Sequence, residues 1–223
     1  MHHLLPNTQY DDPLLVTVTP GNVRMICYGV QRSASSYVWQ VTCDVFGGSG
    51  IIKTHNYLPA SNTVPTLCTY RDFRDCLVSA WRRRHPTWPR LQRPEMRRLC
   101  ENWQINVIAH LDRYREHLPA DRFLRYEDLV VDPTVIRRTL ETMCDVDEQV
   151  WQRSLVEHHI TRNRALSLQE TGEAGELGAS LLIMPNHVHE GEVGTWRKFV
   201  NDSDAKLLTE LLSPALERWG YEP

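Results

Sequence analysis

Tyr28-Gly29-Val30-Gln31-Arg32-Ser33-Ala34-Ser35-Ser36-Tyr37-Val38-Trp39 is the stretch whose reading decides the fold. Before it, Val23 to Tyr28 reads as a buried strand, and from Tyr37 to Phe46 the chain reads as a helix. A strand, a turn of small residues and a helix N-terminus together make an anion site. The first-turn N–H groups have no intrahelical partner, and the helix dipole favours negative charge there. Ser33, Ser35 and Ser36 add hydroxyl donors, and Arg32 adds a fork-shaped cation suited to phosphate or sulfate oxygens. An ordinary serine-capped strand-to-helix turn would read the same way. The stretch departs from the nucleotide-kinase pattern G-x-x-x-x-G-K-[ST]. Counted from Gly29, Ala34 takes the second glycine position and Ser35 the lysine position. Ala34 then demands either a negative φ or some strain.

Around this stretch lie 223 residues that are 41% hydrophobic, enough for one substantial core. A single domain over 1–223 is expected, with 1–20 as an N-terminal arm and 162–194 as a lid. The net charge of −3 provides no global basic field to recruit nucleic acid or an anionic membrane. Arg82, Arg83, Arg84, Arg90, Arg93, Arg97 and Arg98 nevertheless crowd into one region and need either an anionic ligand or solvent. The six cysteines form no C-x-x-C pair and read as small buried residues, which fits a reducing, cytoplasmic location. No apolar run of signal-peptide or membrane-spanning length is visible.

Taken in order, the chain alternates strands with helices, which predicts a parallel sheet covered on both faces. Leu14 to Val18 reads as a short edge strand, and Gly47 to Gly50 stops the first helix. Ile51 to His55 is a short strand whose Lys53 and His55, two residues apart, share a face. Thr66 to Tyr70 is the next strand. It ends in Arg71-Asp72, so its end suits an anion better than Mg²⁺. Pro94 to Leu118 carries one apolar face and predicts the longest helix; Arg122 to Tyr126 predicts a further strand. Asp132-Pro133 opens another helix, Asp147 to His159 continues helical, and Asp204 to Trp219 is the last. Arg162 to Gly194 is glycine-rich with weak periodicity, hence the expected lid.

Five segments, in this order, resemble the cytosolic-type sulfotransferases, which use 3′-phosphoadenosine 5′-phosphosulfate (PAPS). They are Arg32-Ser33-Ala34-Ser35-Ser36; Lys53-Thr54-His55-Asn56-Tyr57-Leu58-Pro59; Tyr70-Arg71-Asp72 with Ser79; Arg125-Tyr126-Glu127-Asp128-Leu129 with Asp132-Pro133; and Gly191-Glu192-Val193-Gly194-Thr195-Trp196-Arg197. Each is weak alone, but five in the family's order are strong together. The resemblance implies a P-loop-type three-layer α/β sandwich with a central parallel sheet. Two departures stand out. His189-Glu190 replaces the family's Arg-Lys before Gly191, so Arg197 or the arginines after Trp81 must supply the missing charge. Only residues 41–52 separate the loop from the Lys53–His55 strand, so the acceptor site must be built differently.

The resemblance further implies sulfonate transfer from PAPS to a hydroxyl of a small-molecule or glycan acceptor, without a metal. His55 would be general base, Lys53 would face the sulfonate oxygens and Arg32 the leaving phosphate. Ser33, Ala34, Ser35 and Ser36 would line the 5′-phosphate, and Arg71 and Ser79 the 3′-phosphate, with Gly191 and Arg197 as further nucleotide contacts. Tyr37 takes the position of the family's adenine-stacking tryptophan, and Trp196 is either core or a second platform. Lys53 and Arg32 depress the His55 pKa while bound nucleotide raises it, which predicts an inflection at roughly pH 6–7 in the complex. The alternatives are a P-loop nucleotide or small-molecule kinase and a non-catalytic nucleotide-binding relative.

Overall fold

The computed structural model describes residues 23–167 and 191–223. Four parallel strands form one sheet in the order β2-β1-β3-β4. They are β1 (Met25–Gly29), β2 (Ile51–Thr54), β3 (Thr66–Tyr70) and β4 (Phe123–Arg125). Tyr28 pairs with Thr54 across one edge of β1, and Gly29 with Thr69 across the other. The carboxyl ends of three adjacent strands are therefore level, and ligands of open α/β sheets bind beyond such ends.

Successive residues of a strand face opposite sides, and both sides here are apolar. Leu67, Met25 and Leu124 pack beneath α1 (Ser35–Phe46), with Leu129, Ile136, Leu140 and Trp151 of later helices. Cys68 and Tyr28 pack on the other side against α2 (Phe73–Arg84) and α3 (Arg93–Trp103). The result is the expected three-layer α/β sandwich with a central parallel sheet.

The long helix from Arg93 is not uniform. After α3 come five π-helical residues, Gln104–Ile108, and then α4 (Ala109–Arg115). The wider turn changes the hydrogen-bond ladder, and the Val107 carbonyl accepts the Tyr28 hydroxyl at 3.1 Å. The strand expected over Arg122 to Tyr126 is shorter than its sequence pattern. Tyr126 instead opens α5 (Tyr126–Val131), where Glu127 and Asp128 favour a helix start. Asp132 accepts the Thr134 N–H at 3.0 Å ahead of α6 (Thr134–Glu141), whose N-cap position falls on Pro133, one residue later than expected. Next come α7 (Glu148–Glu157) and α8 (Ile160–Ser167), and α9 (Asp202–Arg218) closes the chain. Helix α8 runs into the segment expected as a lid, so its first residues are helical. The rest of that lid at 168–190, like the arm at 1–20, lies outside the described residues.

All six cysteines are free, four of them buried, as their apolar settings predicted. No helix among the described residues is long and apolar enough to cross a membrane.

Candidate functional site

The loop after β1 turns sharply because two non-glycine residues adopt left-handed backbone, Arg32 at φ 72° and Ala34 at φ 64°. The strain alternative left open by the sequence is the one realised. Ala34 is also the N-cap residue of α1 and offers no side-chain cap. The start of α1 therefore lacks the side-chain cap that a serine or aspartate would supply there. Gly29 is required where the loop begins. A Cβ there would lie 2.1 Å from the Ser35 Cβ and 2.6 Å from the Thr69 hydroxyl.

The loop serines divide. Ser33 is wholly buried, and its hydroxyl donates to the Val30 carbonyl at 2.5 Å and lies 2.7 Å from the Thr69 hydroxyl. Its side chain ties the loop to the sheet and faces away from the cleft. Ser35 and Ser36 open the helix itself, with Tyr37 half-buried beside them. Trp39 donates to the Ile51 carbonyl and is structural.

His55, just beyond the end of β2, is held in one tautomer. Its Nδ1 lies 2.6 Å from the Gly29 carbonyl, so Nδ1 carries the proton, and Nε2 faces Lys53 Nζ at 3.3 Å. Burial and the Lys53 charge push the imidazole down to about 3, against the raising effect of the Gly29 carbonyl, with Arg83 adding to the depression. The histidine is therefore neutral with Nε2 able to accept a proton. The shared face of Lys53 and His55 follows from strand periodicity.

Arg32 Nε donates to the Ser79 hydroxyl at 2.9 Å, joining the loop to α2. Its Nη1 is buried and has no partner among the described residues. Burial, reinforced by the charges of Arg83, Arg71 and Arg82, pushes this guanidinium down to about 10. Arg71, at the end of β3, is also buried, with Nε unpartnered among the described residues. A small cleft is lined by Arg71, Asp75, Ser79, Arg82, Gly191 and Phe199 among others, and the Arg82 guanidinium lies 3.8 Å from the Phe199 ring centre. Two buried donors without acceptors, among cations that repel one another, fit an anionic ligand with more than one phosphate-like group.

The C-terminal stretch is positioned by Asp75, to which the sequence reading gave no role, and by Tyr126 of the fourth motif. The Asp75 carboxylate pairs with Arg71 at 3.1 Å. It also accepts the N–H groups of Gly194 and Trp196 at 2.7 and 2.9 Å, and the Thr195 hydroxyl at 3.2 Å. Tyr126 donates its hydroxyl to the Gly191 carbonyl, while Arg71 lies over its ring at 4.2 Å. Glu127 accepts from the Tyr221 hydroxyl at 2.8 Å and from the Asp72 N–H at 3.2 Å. Spacing gave one signal for this arrangement: Asp75 stands four residues after Arg71 at the start of a helix. Trp196 is 2% exposed in the core, with the guanidiniums of Arg74 and Arg197 against its ring at 5.0 and 4.3 Å. Its surroundings are those of a core residue. Arg197 itself is exposed, so Arg82 is the arginine that lies in the cleft.

Burial pushes the His110 imidazole of α4 below its ordinary range, and its Nδ1 is buried without a partner among the described residues. His158, which carries no metal spacing in the sequence, pairs with Asp44 at 3.0 Å and ties α7 to α1.

No protein-family profile matches the chain, and no curated protein matches it by sequence. Solved structures do match. A mouse sulfotransferase, SULT7A1, complexed with PAP superposes with a TM-score of 0.61 at 12% identity, over 87% of this chain and 84% of that one. Retinol dehydratase in complex with androsterone and the inactive cofactor PAP gives 0.59 at 13% identity, over 90% and 82%. The same enzyme with retinol and PAP gives 0.57 at 16% identity, again over 90% and 82%. At this identity the likeness is one of fold: the chain has the fold of the cytosolic-type sulfotransferases.

Proposed function

We propose that the protein transfers the sulfonate of PAPS to the hydroxyl of an acceptor, leaving adenosine 3′,5′-bisphosphate (PAP). The observation that carries this reading is His55. A neutral imidazole stands beside Lys53, with its Nδ1–H fixed on the Gly29 carbonyl, at the sheet edge where α1 presents uncapped N–H groups. The sulfotransferase fold supports it, as do the unpartnered donors of Arg32 and Arg71.

When bound, PAPS supplies the transferable sulfonate. His55 Nε2 takes the proton of the acceptor hydroxyl as the acceptor O–S bond forms and the bridging S–O bond breaks. Lys53 faces the sulfonate oxygens, and Arg32 meets the charge that develops on the leaving phosphate. The N–H groups at the start of α1, with Ser35 and Ser36, hold the 5′-phosphate. Arg71, Ser79 and Arg82 hold the 3′-phosphate; Arg82 takes the place of the family's Arg-Lys pair, where this chain has His189-Glu190. Tyr37 is the aromatic placed for adenine. No step requires a metal.

Calorimetric titration with PAP tests the nucleotide site, and turnover of labelled PAPS across a panel of hydroxyl acceptors tests the chemistry. His55→Asn should lose about 10²–10⁴-fold in turnover while PAP affinity stays within a few-fold. Failure to bind PAP overturns the reading. Tight PAP binding without turnover on any acceptor makes the protein a non-catalytic relative.

A further inference from the structure

Tyr114 of α4 is fully buried, and its hydroxyl makes two bonds to the segment that follows His55. It donates to the Asn56 carbonyl at 3.1 Å and accepts the Leu58 N–H at 3.1 Å. A phenol has one proton to give and lone pairs to receive, so both bonds form at once. The Thr54 hydroxyl accepts the Asn56 N–H at 2.9 Å. The residue after His55 is thereby tied through both its N–H and its carbonyl. Burial pushes the Tyr114 phenol above its ordinary range, against the lowering effect of the Leu58 N–H, so it stays a donor.

The ring of Tyr114 reaches the other support of the histidine. It packs against Tyr28 with ring centres 4.6 Å apart, and against Tyr57 at 5.0 Å. Tyr28 precedes Gly29, whose carbonyl lies 2.6 Å from the His55 Nδ1. The Tyr28 hydroxyl in turn donates to the Val107 carbonyl in the π-helical turn, which fastens the helix carrying Tyr114 to β1. One buried side chain therefore touches both segments that the His55–Gly29 hydrogen bond spans. That bond decides the tautomer, because the proton of an imidazole settles on the nitrogen whose partner accepts it. With the Gly29 carbonyl out of reach, nothing favours the proton on Nδ1, and an imidazole protonated on Nε2 cannot take a proton there.

We propose that Tyr114 is a positioning residue for the base. Its hydroxyl on residues 56 and 58 and its ring on Tyr28 fix the separation of His55 from the Gly29 carbonyl, and so keep Nε2 free to accept a proton. The task of the base rests on the sulfotransferase reading, whereas the hold on the imidazole is a property of the free protein.

The test compares the wild type with Tyr114→Phe, which removes one oxygen and keeps the ring. Nitrogen–proton correlation spectra of isotope-labelled imidazoles report the tautomer, and the signals lost in His55→Asn are those of His55. The wild type should show a single tautomer, protonated on Nδ1. Tyr114→Phe should show both tautomers, with the Nδ1 proton exchanging about tenfold or more faster with water. Ser61→Ala loosens the same segment at its far end, where the Ser61 hydroxyl donates to the Leu58 carbonyl at 2.6 Å, and should leave the spectrum unchanged. Turnover gives a second readout. The kcat of Tyr114→Phe should fall about 10- to 100-fold with PAP affinity within a few-fold. In a His55→Asn background the same substitution should cost no more than about twofold further, because it acts through His55.

A single Nδ1 tautomer in folded Tyr114→Phe overturns the inference, since the hydroxyl would then serve stability alone. A loss of kcat as large without His55 as with it overturns it too. If the wild type neither binds PAP nor turns over, the parent reading fails, and the tautomer comparison still decides whether Tyr114 sets the imidazole. If Tyr114→Phe does not fold, hydrogen exchange of the wild type takes its place. The Leu58 amide and the His55 Nδ1–H should then open in one step, and an imidazole that opens while Leu58 stays protected overturns the inference.

Discussion

Two stretches bring glycine, backbone N–H groups and arginine to the same cleft, and they treat those donors in opposite ways. In the Gly29–Ser36 loop the helix start is uncapped, and Arg32 keeps a buried N–H without a partner among the described residues. In the Gly191–Phe199 stretch an internal anion has already filled the equivalent role: Asp75 takes two backbone N–H groups, a hydroxyl and Arg71. On the proposed reading the loop answers a ligand, whereas the C-terminal stretch is held by Asp75 without one. Removing Asp75 and removing Arg32 should consequently have different effects, although Asp75 lines the cleft and Arg32 is bonded to Ser79 of the same cleft.

The largest effect is expected at Asp75. Asp75→Ala leaves Arg71 as a buried charge without its partner and frees the C-terminal stretch, costing about 3–5 kcal/mol of stability. Denaturant unfolding in the absence of nucleotide measures it. A loss below about 1 kcal/mol would erase the contrast, since Asp75 would then be dispensable to the fold.

Arg32 should show the reverse pattern. Arg32→Ala should change the unfolding free energy of the free protein little, because the side chain is desolvated and only partly satisfied. Its PAP affinity should fall by about 2–5 kcal/mol, the cost of removing one member of a close charge pair. Calorimetry together with unfolding separates the two quantities; destabilisation as large as the affinity loss would make the loop a structural element like the C-terminal stretch.

The cation-rich side of the cleft also sets a pH dependence. In the free protein His55 is protonated only below about pH 3, so its titration should leave kcat/KM flat between pH 7 and 5. Bound nucleotide adds negative charge, which favours the imidazolium and moves the acid limb of kcat upward, toward the inflection near pH 6–7 read from the sequence. By pH 5 kcat should have dropped about 10- to 100-fold. Coincident acid limbs in the two profiles would place the base elsewhere.

The smallest effect sharpens the picture of the loop. Ala34 sits at φ 64° and at an N-cap position, both of which suit glycine better than alanine. Ala34→Gly should raise stability by about 1 kcal/mol, visible as a higher thermal midpoint, with PAP affinity within a few-fold. A loss of stability would mean that the left-handed turn is not strained.

Much of this was legible before any coordinates. Strand ends were readable to within a residue: the sequence pattern ends them at Tyr28, His55 and Tyr70, and the structure at Gly29, Thr54 and Tyr70, while the shared face of Lys53 and His55 is a consequence of period two. The loop's special character was readable too, since Ala34 stands where glycine is easiest. Ser33 was misleading: three loop serines look alike in sequence, and only packing against Val30 and Thr69 turns one of them inward. Pro94 to Leu118 was misleading in another way, because an apolar spacing of four residues is shared by an α-helix and by one that passes through a π turn.

The sequence by itself determined the alternation of elements, the sheet edge that carries the site, and which cations stand at it, because those follow from periodicities of two and about 3.6 residues within short windows. The tertiary structure alone decided which donors remain for a ligand. That depends on contacts between residues far apart in the chain: Asp75 with Gly194, Tyr126 with Gly191, Arg32 with Ser79 and His55 with Gly29. A hydrogen-bond donor is available or satisfied according to what lies within about 3 Å of it, and local sequence patterns do not encode that distance.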